Sequence, residues 1–216
     1  MKIKKLISAL VLGSMLVGLS GCNITDFSAE NLLRPPKAVG DEAEIEQLIA
    51  KTADSGYTLK YPKNGKFRSA IIMTDLDGND SNEAVAFFRN SAETSSVHML
   101  VMYSKDNSWE IVSDNIFETT DIDSVDFADL TGNGKAEIIV NSTTYTPNVG
   151  KLSCYSYSEG KTNEVGSGQS CSSFVTGDFD NDGTSEIMSL VLYTTENEAL
   201  ASMLDYNEDS KSLYAK

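Results

Sequence analysis

Three stretches of the chain share one nine-residue pattern: DLDGNDSNE at 75–83, DLTGNGKAE at 129–137 and DFDNDGTSE at 178–186. We call them loop 1, loop 2 and loop 3. Each has an oxygen-bearing side chain at positions 1, 3, 5 and 9 and either Gly or Asp at position 6, and each is followed by an apolar run. Their starts are 54 and 49 residues apart. Self-similarity at such a period is typical of a stacked repeat architecture.

The spacing of the oxygen-bearing side chains suits Ca²⁺. Positions 1, 3 and 5 place three side chains on one side of a tight loop, and calcium binds several oxygens that converge from one short segment. The acid at position 9 and the backbone carbonyl at position 7 would add ligands. The predicted ligands are Asp75, Asp77, Asn79, Ser81 and Glu83 in loop 1; Asp129, Thr131, Asn133, Lys135 and Glu137 in loop 2; and Asp178, Asp180, Asp182, Thr184 and Glu186 in loop 3.

Calcium affinity is expected to fall in the order loop 3, loop 1, loop 2, because carboxylate count tunes affinity. Loop 3 offers four carboxylates at the ligand positions, loop 1 offers three and loop 2 offers two. An EF-hand does not fit, since it needs a Glu at position 12 and a following helix; that position holds Ala86, Val140 and Ser189. The alternative for any single loop is an Asx-rich turn between strands. Three copies at equivalent places argue against coincidence.

The pattern D-x-D-x-D-G-x-x-D/E followed by β-branched residues resembles the calcium loop of FG-GAP and VCBS repeats, which occur in integrin α-chain propellers and bacterial surface proteins. The resemblance covers roughly residues 67–216. Loop 3 matches at every position, whereas loop 1 has Asp80 at position 6 and Asn79 at position 5. Loop 2 has Thr131 and Asn133 at positions 3 and 5. The resemblance implies calcium sites on a β-propeller-type fold.

Apolar runs recur four times in about 50 residues, which is the strand count of a propeller blade. The sequence therefore predicts an all-β domain over 67–216, with four-stranded antiparallel units at 67–118, 119–168 and 169–216. A short amphipathic helix at 41–53 with its lead-in, 41–66, precedes it. Propellers close with four to eight blades. Three units predict either a truncated propeller, which we favour, or an arc that associates with another copy.

The first 21 residues have the features of a signal peptide: Lys2, Lys4 and Lys5, an apolar stretch from 6 to about 19, then Leu-Ser-Gly before Cys22. The sequence L-S-G-C resembles a bacterial lipobox, which implies a lipidated Cys22; an ordinary secretory signal is the alternative. Residues 22–40 are interpreted as a tether. The chain is thus expected on a bacterial cell membrane, lipid-anchored on the extracytoplasmic face.

The charge balance argues against a nucleic-acid partner. The chain has 17 basic and 32 acidic residues, and removal of residues 1–21 takes three lysines and no acid, which lowers the net charge from −15 to −18. Such a protein repels nucleic acid and anionic lipid. An exported location permits a disulfide between Cys154 and Cys171. Two buried free thiols are the alternative.

No catalytic set is recognisable in the sequence. The single histidine, His98, lies in an apparent strand, and neither G-x-S-x-G nor a Cys/His cluster occurs. The sequence therefore predicts a non-enzymatic surface lipoprotein that presents a binding, adhesion or structural module to an extracellular protein or glycan. The alternative is an enzyme, or enzyme subunit, on a propeller scaffold that acts on extracellular polysaccharide.

Overall fold

Each of the three predicted units forms an antiparallel sheet whose four strands pair in chain order. The computed structural model describes residues 39–54, 56–143, 149–158, 160–193 and 196–216. Sheet 1 contains β2 (Ile71–Thr74), β3 (Glu83–Asn90), β4 (Val97–Lys105) and β5 (Ser108–Phe117); sheet 2 contains β6 (Asp121–Ala128), β7 (Glu137–Thr143), β8 (Gly150–Ser158) and β9 (Lys161–Cys171); sheet 3 contains β10 (Ser173–Gly177), β11 (Glu186–Tyr193), β12 (Glu198–Asn207) and β13 (Ser212–Ala215).

Two further elements precede these strands. The helix α1 (Asp41–Ala53) has the predicted bounds, and β1 (Tyr57–Leu59) pairs with the end of β3 as a fifth strand of sheet 1. Ile45 and Ile49 of α1 are fully buried, and Glu44 accepts a hydrogen bond from the backbone N–H of Trp109 at 2.9 Å. Glu44 therefore ties the helix to β5.

The sheets stack face to face, and three apolar clusters fill the layers. Sheet 1 meets sheet 2 through residues such as Val85, Phe87 and Ile138. Sheet 2 meets sheet 3 through a second cluster that contains Ile139 and Ile187. The opposite face of sheet 1 packs against α1 in the third cluster. The order of layers is therefore helix, sheet 1, sheet 2, sheet 3.

Each repeated loop joins the first and second strands of its sheet, which places all three at one end of the stack. Backbone hydrogen bonds link neighbouring loops: Ala136 N–H donates to Leu76 C=O at 3.2 Å, and Ser185 N–H donates to Asp129 C=O at 2.8 Å. The loops therefore form a contiguous row, with loop 2 in the middle.

The all-β class is confirmed, with three antiparallel sheets of four or five strands, while ring closure of the sheets is not seen in the described part of the chain. The second unit runs to Cys171, slightly beyond the predicted boundary at 168. The signal peptide, Cys22 and all but the last two residues of the tether lie outside the described residues. Among the residues that are described, no helix is long and apolar enough to cross a membrane.

Candidate calcium loops

The aspartate at position 1 shapes each loop by accepting backbone hydrogen bonds from positions 5 and 6. The donors are Asn79 (3.2 Å) and Asp80 (2.9 Å) to Asp75, Asn133 (3.1 Å) and Gly134 (2.8 Å) to Asp129, and Asp182 (3.1 Å) and Gly183 (3.1 Å) to Asp178. Burial acts to raise the pKa of Asp75, but the backbone N–H groups around it outweigh burial and lower the pKa. The backbone of loop 1 thus favours the ionised form of the Asp75 carboxylate.

Positive φ angles at positions 4 and 6 turn each loop. Position 6, which holds Asp or Gly in the sequence, turns with φ of 64° at Asp80, 79° at Gly134 and 95° at Gly183. Position 4 was missed, although Gly, Gly and Asn recur there in the sequence. At Gly132 a Cβ would lie 2.8 Å from the Cγ2 of Thr184 in loop 3. Glycine at that position therefore also permits the close packing of loop 2 against loop 3.

The glutamate at position 9 is buried in all three loops, with 3%, 1% and 0% exposure for Glu83, Glu137 and Glu186. In each loop its Oε2 accepts the backbone N–H of position 2, at distances of 2.7–2.8 Å. A buried carboxylate is costly unless its charge is compensated. The partners of the remaining buried carboxylate oxygens therefore determine whether a loop needs a cation.

In loops 1 and 3 the protein leaves one buried carboxylate oxygen without a hydrogen-bond partner. Asp77 Oδ1 and Glu186 Oε1 are buried and have no hydrogen-bond partner. One carboxylate oxygen from each of Asp75, Asp77 and Glu83 lies within 4.8 Å of the others, and the four acids of loop 3 at positions 1, 3, 5 and 9 converge in the same way. Burial, together with the charges of Asp77 and Asp75, raises the pKa of Glu83. These donor sets fit a hard divalent cation, which prefers oxygen ligands.

Loop 2 instead satisfies its buried glutamate with its own hydrogen bonds. The Thr131 hydroxyl donates to Glu137 Oε1 at 3.0 Å, and the Thr131 N–H donates to Oε2 at 3.2 Å. Burial nevertheless raises the pKa of Glu137. Both carboxylate oxygens of Glu137 have hydrogen-bond partners, so the donor set of loop 2 does not require a cation. The threonine at position 3 was visible in the sequence, but its bond to position 9 was not.

Position 5 and position 7 are also coupled in every loop. The position-5 side chain accepts the backbone N–H of position 7: Asn79 from Ser81 at 2.7 Å, Asn133 from Lys135 at 2.8 Å, and Asp182 from Thr184 at 2.8 Å. These bonds orient the loop. The ligand role of the position-7 carbonyl stays a prediction.

A lysine ammonium lies against the acids of loop 3. Lys216 Nζ forms ion pairs with Asp180 and with Asp205, the latter at 3.2 Å. These two carboxylates raise the pKa of Lys216. The hydroxyl and backbone N–H of Thr184 lower the pKa of Asp182. Lys216 thus balances part of the negative charge of the loop, and a bound calcium ion would compete with it for Asp180.

The two cysteines do not form the hypothesised disulfide. Both are buried free thiols between sheets 2 and 3. The register pairs Cys154 with Gly166 and Cys171 with Gly150. The cysteines are therefore offset by four residues along β8, roughly 13 Å at the rise of a strand, which exceeds the Cα separation of a disulfide. The alternative of core thiols is the one found, and burial raises the pKa of Cys171 to about 11.

His98 is packed as a core residue rather than set against a nucleophile. Its ring stacks on Phe88 with centroids 4.7 Å apart. Nδ1 contacts Asp114 at 2.9 Å, and Nε2 lies 3.4 Å from Glu93. The nearby Ser96 hydroxyl donates to Glu93 at 3.0 Å and not to the imidazole. This arrangement lacks the serine–imidazole hydrogen bond of a Ser-His-Asp triad.

A polar cleft of about 230 Å³ opens beside the sheet 2–sheet 3 layer. Within it, Asp123 accepts hydrogen bonds from Asn64 at 2.9 Å and from Asn141 at 3.4 Å. The Oδ1 of Asn141 is buried and has no hydrogen-bond partner. The cleft is therefore lined by amide and carboxylate groups, although the Oδ1 of Asn141 is itself closed to solvent.

No family model matches the chain, and no curated protein matches it significantly.

Proposed function

We propose that the protein is a non-enzymatic, calcium-stabilised repeat module, built of propeller-type blades and held by a lipid on the outer face of a bacterial membrane. The observation that carries the proposal is the pair of buried carboxylate oxygens without partners, Asp77 Oδ1 and Glu186 Oε1, each inside a cluster of converging acids. Leaving a charged group buried and unpaired costs at least about 1–3 kcal/mol. Calcium at loops 1 and 3 removes that cost.

The place of the loops supports a structural role for the metal. Loop 1 and loop 3 each hydrogen-bond to loop 2, so ions at the two outer loops stiffen the row that holds the three sheets in register. Calcium therefore rigidifies the end of the stack, and ligand-binding surfaces next to it become preorganised. Preorganisation raises affinity by reducing the entropy lost on binding.

The lipid anchor rests on the leader sequence and on Cys22. Two or three acyl chains hold a protein on a membrane because each buried methylene contributes about 0.8 kcal/mol. Replacing Cys22 by Ala should move the protein out of the membrane fraction or leave it with an uncleaved leader. Membrane attachment with normal cleavage in that variant would remove the anchor from the proposal.

The ligand is proposed to be an extracellular protein or glycan. The cleft around Asp123 and Asn141 favours a glycan, since its oxygens suit sugar hydroxyls and its apolar side is formed by Leu192. The alternative function, breakdown of polysaccharide, would need a proton donor and a nucleophile or base. The two carboxylates near His98, those of Asp114 and Glu93, are both engaged by its imidazole.

The test compares binding with turnover on the same preparation. The intact protein is screened on a glycan array in calcium and in chelator, and in parallel against chromogenic polysaccharides. The proposal predicts glycan or protein binding that weakens in chelator, with no release of chromophore. Chromophore release that survives repurification, and that is lost in a variant of a single acidic residue, would establish the enzymatic alternative instead.

A further inference from the structure

The acids of loop 3 differ from those of the other two loops because a cation lies beside them. Lys216 Nζ forms an ion pair with Asp180, at position 3 of loop 3, and a second one with Asp205 of β12 at 3.2 Å. Among the residues that the structure describes, no acid of loop 1 or loop 2 forms an ion pair with a lysine or an arginine. Within that part of the chain, the protein therefore supplies a positive charge of its own to loop 3 alone.

The repeat shows that this lysine stands where the other units have an apolar residue. The fourth strands start at Ser108, Lys161 and Ser212, each opposite the last residue of the strand before it. Counted from that start, the fifth residue is Val112 in the first unit, Val165 in the second and Lys216 in the third. Val112 packs against the layer between sheets 1 and 2, and Val165 is buried in the layer between sheets 2 and 3. The lysine is thus a departure of the third unit from its own repeat.

The second carboxylate that holds Lys216 is also specific to the third unit. Asp205 lies two residues before the end of β12, and Tyr103 and Ser156 hold the same place in β4 and β8. Asp205 belongs to a strand and not to loop 3. It can therefore keep the ammonium of Lys216 next to the loop even when Asp180 binds a metal ion.

One ammonium does not satisfy the whole of loop 3. Lys216 pairs with Asp180, which is an exposed acid. Glu186 is 0% exposed, and its Oε1 is buried without a hydrogen-bond partner. Four carboxylates converge in the loop, whereas the lysine adds a single positive charge. Lys216 therefore balances the exposed part of the cluster and leaves the buried oxygen to a metal ion.

We propose that Lys216 competes with calcium at loop 3, so that it weakens the calcium affinity of this loop and stabilises the loop when no ion is bound. The inference rests on the proposed function, because it requires calcium to bind loop 3. For calcium to take Asp180, the ion pair with Lys216 must break, and the ammonium that Asp205 retains then repels the ion. The affinity that the lysine removes equals the stability that it gives to the ion-free loop, because the two effects are linked.

The test is isothermal titration calorimetry with calcium on the chelator-stripped full chain in about 0.15 M salt. The part of the isotherm that Asp180→Ala removes belongs to loop 3. Lys216→Met keeps a long side chain without its charge, and it should lower the Kd of loop 3 by about fivefold, the upper effect of a surface ion pair.

The matched control is Lys211→Met, which removes the same charge from the turn between β12 and β13. Lys211 forms no ion pair in the described part of the chain. Salt screens exposed charges beyond about 8 Å. The control should therefore change the Kd of loop 3 by less than about twofold.

Thermal unfolding in chelator and in excess calcium gives an independent readout. Lys216→Met should lower the melting temperature in chelator by about 2–4 °C. The decrease should be smaller in calcium, because the ion has by then displaced Lys216 from Asp180. A lysine that only supports the end of β13 would lower both melting temperatures equally.

Each outcome of the titrations decides the inference. A lower Kd in Lys216→Met than in Lys211→Met supports it. If the wild type binds calcium at loop 3 and the two variants have the same Kd, the inference is wrong while the proposed function stands. If neither the wild type nor Lys216→Met binds calcium at loop 3 at millimolar concentration, both are wrong. Binding by Lys216→Met alone would support the competition and would limit the proposed function to loop 1.

Discussion

Removing a ligand from loop 3 should weaken the stabilisation by calcium, whereas removing the hydroxyl that satisfies loop 2 should destabilise the protein independently of calcium. Asp180 belongs to a converging set of four acids, one of which has a buried oxygen without a partner. Thr131 instead donates to Glu137 within loop 2. We therefore expect Asp180→Ala to reduce the rise in melting temperature that calcium causes. We expect Thr131→Val, which keeps the shape of the side chain, to lower the melting temperature equally with calcium and with chelator.

The magnitudes follow from linkage. Calcium at a hundred times its Kd stabilises the native state by about 2.7 kcal/mol per site, which for a domain of this size raises the melting temperature by about 5–11 °C. Two sites give about twice that rise, and Asp180→Ala should halve it. Losing a hydrogen bond to a buried charge costs about 1.5–3 kcal/mol. Thr131→Val should therefore lower the melting temperature by about 3–12 °C.

The assay is thermal unfolding followed by circular dichroism, in calcium and in chelator, for the wild type and both variants. Asp180→Ala also breaks the ion pair with Lys216, worth at most about 1 kcal/mol at a surface, so the quantity compared is the calcium-induced rise and not the melting temperature itself. A Thr131→Val variant that loses the calcium-induced rise, or an Asp180→Ala variant that keeps all of it, would refute the distinction between the loops.

Three further predictions test the packing and the charges. Burial acts to raise the pKa of Asp121, but Lys60 and Lys63 lower it. The stabilising contribution of Asp121 is therefore present above its ordinary pKa of 3.8 and is lost as the pH falls through the lowered value. Asp121→Asn should lower the melting temperature at neutral pH, and the difference between the variant and the wild type should shrink towards acid pH. Dithiothreitol should leave the melting temperature of the protein unchanged, since the two core cysteines are free thiols, and a fall would indicate a disulfide. Ile49→Ala should cost about 2–5 kcal/mol in denaturant unfolding because α1 covers sheet 1, whereas the exposed control Ile116→Ala should change stability by less than about 0.5 kcal/mol.

Much of the fold was predictable because its local signals repeat. The apolar run after each loop fixed β3, β7 and β11, and the position of the acids placed the loops between strands rather than before a helix. The helix at 41–53 followed from apolar residues at 45, 48 and 49 with acids in its first turn. The role of α1 as the cover of sheet 1 was not predictable, since it depends on contacts between residues far apart in the chain.

The sequence identified the residues of the candidate calcium loops but not the structural differences between the loops. Ligand spacing placed the acids of loops 1 and 3 together, as the converging carboxylates bear out. The sequence could rank loop 2 last by counting carboxylates, but it could not show that Thr131 takes the place of a ligand by bonding to Glu137. That bond depends on the depth at which the position-9 glutamate is buried. The disulfide hypothesis failed for a similar reason, because strand register decides which cysteines can meet.

We expect loops 1 and 3 to bind calcium and loop 2 not to bind it. Isothermal titration calorimetry of the chelator-stripped full chain measures this directly. The expected stoichiometry is two calcium ions per chain for the wild type and for Thr131→Val, and one for Asp180→Ala. A stoichiometry of three would show that loop 2 binds despite its internal hydrogen bonds. No binding at millimolar calcium would show that all three loops are Asx turns, and the metal-dependent account would be wrong.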